Sequence, residues 1–181
     1  MTYISSEESG GLDIRISTGH LIAQYTVMTG DMDTATAEAV TVLKGYILGD
    51  NSKTTNSPFT KSADQKASED IAMVEPIISQ SNFDGSTTVT FIMPDDYTTL
   101  SSLPTPNNKD IVTKILNSEK YAVLTFNGKV TPDIFHNLAQ SFVDKLKVNK
   151  IHIVSSPELL RYDPEWSIPY LQRNEIRVMI K

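Results

Sequence analysis

The residues in this sequence that are suited to metal or acid–base chemistry are few and well separated. The three histidines are His20, His136 and His152, and no two of them have the spacing of a zinc-binding pair or of a His-Glu-x-x-His motif. Cysteine is absent, which excludes disulfides, thiolate metal sites and cysteine nucleophiles. No serine lies in a nucleophile-elbow context, and no glycine-rich phosphate loop is present. The sequence therefore contains no recognisable catalytic constellation, and we do not expect an enzyme.

One carboxylate is unusual, because Glu75 lies beside Pro76 within the apolar segment 71–77. A carboxylate in an apolar strand is costly unless it is paired or faces a cavity. Glu75 is thus a candidate ligand contact or general base in a cavity, and the alternative is that it faces solvent on an edge strand. Arg173 and Glu175 are candidates for a buried ion pair that fixes the last strand, since arginine–carboxylate geometry suits such a pair.

The apolar pattern predicts the strands and helices that position these residues. Alternation predicts two β-hairpins, each with a short turn. Their strands are 12–17 with 20–27, and 110–116 with 121–126. Helical spacing predicts one helix that ends near Leu48, before Gly49, and a second that begins at Thr131 with Pro132 in its first turn. Two apolar runs, 71–77 and 89–94, predict a central strand pair in which Pro76 marks an edge or a bulge.

The order strand, strand, helix, strand, strand occurs twice, at about 12–94 and 109–181, which indicates an internal duplication. We therefore predict an α+β fold, a distorted antiparallel β-barrel of two ββαββ-like repeats with two flanking helices. Residues 12–181 are predicted to be a single domain, preceded by a flexible N-terminal arm at 1–11. The polar segment 50–70 is predicted to be a mobile loop.

Composition limits the classes of partner. The net charge of −6 and the dispersed basic residues argue against a nucleic-acid surface, which needs clustered lysine and arginine. No apolar run approaches the roughly 20 residues that span a bilayer, so membrane insertion is not expected. The first residues lack the basic and apolar regions of a secretory signal. We expect a soluble, cytoplasmic protein, and the sequence does not indicate its oligomeric state.

Four sequence blocks, in the same order along the chain, resemble the SOUL family of haem-binding proteins. They are LDIR at 12–15, KGYILGDN at 44–51, IAMVEPI at 71–77 with FIMP at 91–94 and LPTP at 103–106, and YDP at 162–164 with RNEI at 173–176. The resemblance implies a barrel of two repeated halves, related to bacterial effector-binding domains. It also implies tetrapyrrole binding in a shallow apolar cleft beside the first helix.

The resemblance also implies candidate haem contacts. The helical stripe Val40, Lys44 and Ile47 is expected to line the cleft, with Lys44 meeting a propionate, and the alternative is a helix that packs more broadly than usual. Family members with a proposed iron-ligating histidine carry it where this chain has Ile16. His20 is the candidate metal ligand in its place, although a solvent-exposed turn residue is the ordinary interpretation.

Two further residues complete the candidate set. Met73, like Met93, has a soft sulfur that iron accepts as a ligand, but methionine in strands usually fills the core. Arg173 is included as a candidate cofactor contact.

We therefore predict a haem- or tetrapyrrole-binding protein, a carrier or buffer that holds non-covalent haem mainly by apolar contact. The alternative is a small-molecule effector-binding domain with a cavity around Glu75 and no haem affinity. A third, weaker hypothesis is an enzyme that uses Glu75 as a base.

Overall fold

The computed structural model describes residues 3–9, 11–28, 30–54, 66–164 and 166–181. The strands are β1 Tyr3–Ser9, β2 Leu12–Ser17, β3 His20–Val27, β4 Asn51–Thr54, β5 Lys66–Ala67, β6 Val74–Ser81, β7 Thr87–Ile92, β8 Thr105–Pro106, β9 Val112–Leu116, β10 Lys120–Asn127, β11 Glu158–Arg161 and β12 Arg173–Met179. The helices are α1 Met32–Ile47 and α2 Pro132–Val148. Short 3-10 turns lie at Leu100–Ser102 and Pro169–Leu171.

Nine of these strands form one antiparallel sheet in the order β1-β2-β10-β12-β11-β6-β7-β3-β9, and β5-β4-β8 form a small second sheet. The large sheet curls into a half-barrel that carries both helices, which confirms the predicted α+β class. In the described part of the chain, neither helix is long and apolar enough to cross a membrane.

The two repeats exchange their first strands. β2 pairs with β10 and β3 pairs with β9, so neither predicted hairpin forms, and that prediction was wrong. The two bends instead face each other: the Ser17 amide donates to the Glu119 carbonyl at 2.9 Å, and the Ser118 hydroxyl donates to the Ser17 carbonyl at 2.7 Å. The bends approach each other so closely that a Cβ on Gly19 would lie 3.2 Å from the Leu116 carbonyl oxygen. Alternation predicts which face a residue occupies but not which strand is its partner.

The middle of the sheet joins the two repeats through β6 and β11, where Arg161 lies opposite Ile77. β6 also pairs with β7, as predicted, and its register shifts between Val74 and Ile78. This irregularity confirms the bulge that Pro76 predicts.

Both helices pack on the outer face of the sheet. The Asp31 carboxylate accepts from the amides of Asp33 and Thr34 and caps α1, while Thr131 caps α2 in the predicted way. The buried stripe of α1 contacts β3 and β7, and that of α2 contacts β10 and β12. The stripes are Ala35, Ala39, Leu43 and Tyr46 in α1, and Phe135, Ala139, Phe142 and Leu146 in α2. A third cluster, Ile22, Ile78, Ile92 and Leu160, contains no helix residue and lies on the inner face.

Two segments predicted to lack regular structure contain strands. Tyr3–Ser9 pairs with β2, because backbone hydrogen bonding at a sheet edge requires no apolar pattern. The ends of the predicted loop 50–70 form β4 and β5, held by buried Asn51, whose amide nitrogen donates to the carbonyls of Tyr46 and Glu69 at 2.7 Å. Residues 1, 2, 10 and 55–65 lie outside the described residues, and the predicted mobility of both segments stays a prediction.

Two glycines near the end of α1 provide a matched test of the helix boundary. Gly45 lies within α1, and a Cβ there would meet only ordinary contacts. Gly45→Ala is expected to raise the free energy of unfolding by about 0.5–1 kcal/mol, because alanine loses less backbone entropy. Gly49 has a φ of 99°, which alanine adopts only with strain, so Gly49→Ala is expected to lower the free energy of unfolding by about 1 kcal/mol or more. Urea unfolding of both variants measures the difference, and effects of equal sign would contradict the boundary.

Candidate functional site

A row of side chains four residues apart runs along one face of α1 and becomes more exposed toward its C-terminal end. Thr36 is 7% exposed, Val40 is half-buried, Lys44 is exposed and Leu48 is 70% exposed. Residues at this spacing lie on the same face of a helix. The buried Thr36 hydroxyl has no hydrogen-bond partner among the described residues. Ile47, by contrast, is 3% exposed and belongs to the core, so it does not reach this surface.

The segment after β5 extends this surface past the end of α1. The Ile71 amide donates to the Ile47 carbonyl at 2.8 Å, and Leu48 forms an isolated bridge with Asp70. Met73 follows with 44% of its surface exposed. Met73, which was predicted separately from the stripe of Val40 and Lys44, therefore follows a segment that lies against the C-terminal end of α1. We call Val40, Lys44, Leu48 and Met73 the helix surface.

A cleft of about 390 Å³ adjoins the helix surface. Its lining residues are Lys53, Glu69, Asp70, Ala72, Pro94, Asp96, Tyr97 and Ser102. Glu69 accepts from the Lys53 ammonium at 2.6 Å and from the Tyr97 hydroxyl at 2.7 Å, and these two bonds lower its pKa. Burial, and then Glu69, raises the pKa of Tyr97.

The cleft is acidic, because its one lining lysine is already paired and three carboxylates line it. It therefore suits cations and hydroxyl donors and disfavours anions. No group of three or more histidine, aspartate or glutamate residues is placed to hold a metal ion in the part of the chain that the structure describes.

The inner face of the second repeat carries a buried ion pair. Glu175 is 5% exposed, and its carboxylate accepts from Arg15 at 2.8 Å, from the Tyr162 hydroxyl at 2.7 Å and from the Tyr3 hydroxyl at 3.3 Å. Arg15 also pairs with Asp13. Burial, and then Glu175, raises the pKa of Tyr162. All these charged groups satisfy one another, as buried charges require.

A second buried pair lies beside the first. Arg177 is 1% exposed, pairs with Glu158 and stacks over the Tyr121 ring, with its guanidinium carbon 4.2 Å from the ring centroid. Burial raises the pKa of Tyr121 to about 12, and its hydroxyl has no partner within the described residues. The inner face is thus occupied by charges paired with each other, which favours a structural role.

The predicted Arg173–Glu175 pair was wrong. Glu175 pairs with Arg15, because the exchange of first strands brings β2 close to β12, with only β10 between them. Arg173 is exposed, and its guanidinium carbon lies 4.1 Å from the centroid of the Tyr162 ring. The sequence signal that was missed is the charged residue Arg15 between the apolar residues Ile14 and Ile16.

Glu75 is solvent-exposed in β6, so it is not enclosed as the predicted cavity requires. The reason is the shift in register between Val74 and Ile78, which places Glu75 outside the regular ladder and removes the need to bury it.

The structure does not bring His20 to α1. Leu21 packs beneath α1 while Ile22 lies on the inner face, and alternation places His20 on the same side as Ile22. Its Nε2 atom lies 2.6 Å from the Thr18 hydroxyl, and desolvation lowers its pKa. His136 and His152 are exposed, and Met93 is buried in the core. Iron ligation by His20 stays a prediction.

The comparisons with known proteins agree with this fold. The family model described as SOUL heme-binding protein matches residues 1–179. No curated protein matches the chain. Among solved structures, the chain resembles the EcmrR C-terminal domain at 9% identity and a TM-score of 0.66, covering 100% of this chain and 99% of that one. It also resembles an uncharacterized conserved protein from Listeria innocua at 7% identity and a TM-score of 0.55, covering 93% and 92%. At these identities the structural likeness shows the fold alone.

Removing the charge of Glu175 tests the inner-face ion pair. Glu175→Gln keeps the shape of the side chain but leaves the Arg15 charge without its full partner, so we expect a loss of about 3 kcal/mol in the free energy of unfolding. Asp144→Asn is the control, because Asp144 is exposed and lies 3.5 Å from Lys147, and it should cost less than about 1 kcal/mol. Equal losses in urea unfolding would show that the buried pair does not stabilise the fold.

The lowered pKa of His20 predicts a pH dependence of stability. At a pH between the pKa of His20 in the folded protein and its value near 6.5 in the unfolded chain, the unfolded chain binds one more proton than the folded protein. The free energy of unfolding therefore falls as the pH drops below about 6.5. His20→Gln should flatten this dependence, and His136→Gln, at an exposed position, should leave it unchanged. Thermal unfolding between pH 5 and 8 measures all three proteins, and an identical slope in His20→Gln would contradict the desolvation of His20.

Proposed function

The chain belongs to the SOUL haem-binding protein family, and we propose that it binds haem or a related tetrapyrrole non-covalently on the helix surface, as a carrier or buffer. The observation that carries this proposal is the helix surface itself, which combines exposed apolar side chains with one cation beside an acidic cleft. No histidine of the described residues is exposed on this surface, so binding is expected to depend mainly on apolar contact.

The side chains of the helix surface fit a planar apolar ring with carboxylate substituents. Val40, Leu48 and Met73 offer apolar contact, and burying such side chains is worth roughly 1.5–3 kcal/mol each when it is complete. Lys44 supplies a cation at the same face, which suits a propionate.

The acidic cleft supports one orientation of the ligand. Glu69, Asp70 and Asp96 lie beyond the C-terminal end of α1, where they repel the propionates. Lys53 is engaged by Glu69 and does not offset this repulsion. The carboxylate groups of the ligand are therefore expected on the side of Lys44.

Met73 would hold the iron through its thioether if haem binds here, since methionine sulfur is one of the protein ligands of haem iron. Met73 is accessible at the helix surface, since it is 44% exposed. The remaining residues bind and orient the ring and carry no chemistry of their own.

The effector-binding alternative loses the residue on which it was based, because Glu75 is exposed. The inner face, where an internal ligand would lie, is filled by the Arg15–Glu175 and Arg177–Glu158 pairs. No specific contact in the described residues favours that second function.

A haemin titration followed by visible absorption tests the proposal. Wild-type protein should give a saturable one-to-one shift of the Soret band. Lys44→Glu should weaken binding by roughly threefold to tenfold, because it replaces an attraction by a repulsion at an exposed site. Met73→Ala should weaken it and also move the band position.

Two variants serve as controls for this titration. Lys147→Glu changes a lysine that is also exposed but lies on α2, and it should bind as wild type. His20→Ala separates the two candidate iron ligands: an unchanged band position is expected with Met73 as the ligand, and a moved band would instead support His20. A shift that never saturates, or equal weakening by Lys44→Glu and Lys147→Glu, would overturn the helix surface as the binding site.

A further inference from the structure

The loop before β12 exposes an unusual amount of apolar surface. Within residues 166–171, which we call the aromatic loop, four large apolar side chains are more than half exposed: Trp166 at 85%, Ile168 at 52%, Tyr170 at 71% and Leu171 at 59%. No other six-residue stretch of the described residues exposes as many. Exposed apolar patches of this kind mark interaction surfaces.

The backbone of the aromatic loop satisfies many of its own hydrogen bonds. The Ser167 amide donates to the Pro164 carbonyl and the Leu171 amide donates to the Ile168 carbonyl, both at 2.9 Å. The side-chain amide of Gln172 donates to the carbonyls of Pro164 and Ser167, both at 3.4 Å. Pro169 has no amide hydrogen to satisfy. These hydrogen bonds, two from loop amides and two from the Gln172 side chain, support the shape of the loop while its apolar side chains remain exposed.

Two exposed cations lie at the base of the aromatic loop, although the whole protein has a net charge of −6. The Gln172 carbonyl accepts from the Gly128 amide at 2.9 Å, which places exposed Lys129 and Arg173 on either side of the base. The acidic residues Asp163 and Glu165 precede the loop in the sequence, and the Asp163 carboxylate accepts from the Arg173 backbone amide at 2.7 Å.

We propose that the aromatic loop docks on the surface of a phospholipid bilayer. Tryptophan and tyrosine prefer the headgroup level, and the aliphatic Ile168 and Leu171 suit the acyl boundary below it. Lys129 and Arg173 complement the lipid phosphates. The docking is peripheral, and it does not depend on the tetrapyrrole proposal.

Trp166 is the single tryptophan of the chain, so its intrinsic fluorescence reports directly on the aromatic loop. The full chain is titrated with vesicles of phosphatidylcholine, alone and mixed with phosphatidylglycerol. We expect the emission to shift to shorter wavelength and to be quenched by lipids with brominated acyl chains. Binding should be stronger with phosphatidylglycerol, and Lys129→Glu should reduce that increase.

The double variant Ile168→Ser with Leu171→Ser keeps the reporter and removes apolar contact. It should lose roughly tenfold or more in vesicle affinity. Its thermal unfolding midpoint serves as the folding check, since both side chains are exposed. Binding equal to that of wild type would overturn the proposal.

A relocated reporter provides the matched control. Phe83 is 98% exposed in the turn between β6 and β7, away from the aromatic loop. In the double variant Phe83→Trp with Trp166→Phe, the emission should not shift when vesicles are added. An equal shift at this position, or no shift of Trp166 with either vesicle, would contradict membrane docking, and the second result would leave the loop as a contact surface for protein partners.

Discussion

The ion pair between Arg15 and Glu175 is the interaction on which the arrangement of strands in the half-barrel depends. It joins β2, the first strand of one repeat, to β12, the last strand of the other, across β10. Because Glu175 is buried and the Arg15 side chain is only 18% exposed, separating them would leave the Glu175 charge without its partner, so the exchanged arrangement is favoured once it forms. The hydroxyls of Tyr3 and Tyr162 donate hydrogen bonds to the same Glu175 carboxylate. The duplicated halves thereby become one structural unit.

The residues that cover the two faces of the sheet also determine which surface we propose for the ligand. The inner face is filled by two ion pairs in the second repeat and by the cluster around Ile22 and Leu160 in the middle of the sheet. The outer face is covered by α1 and α2, but the C-terminal end of α1 leaves Lys44 and Leu48 exposed beside an acidic cleft. A planar, partly anionic ligand matches that combination of apolar contact and cation better than it matches the inner face. The local chemistry thus supports the helix surface as the proposed site.

Much of the fold could be predicted from the sequence, since periodicity and capping residues are local. Both helices, the two repeats and the bulge near Pro76 follow from such signals. The strand exchange could not be predicted, because alternation does not specify a partner strand. For the same reason Glu175 was assigned to the wrong arginine. In the candidate site, helical spacing indicated Val40 and Lys44, but it did not distinguish buried Ile47 from exposed Leu48. It also gave no sign of the buried Thr36 hydroxyl, which has no hydrogen-bond partner among the described residues.

The location of the ligand is the central claim, and amide NMR spectra with and without zinc protoporphyrin IX, a diamagnetic analogue of haem, test it most directly. The account predicts that the perturbed amides cluster at Val40, Lys44, Leu48 and Met73, while those of Arg15, Tyr162 and Glu175 stay unchanged. Perturbations that cluster on the inner face around Glu175, with the α1 amides unaffected, would contradict the account and place the ligand inside the half-barrel.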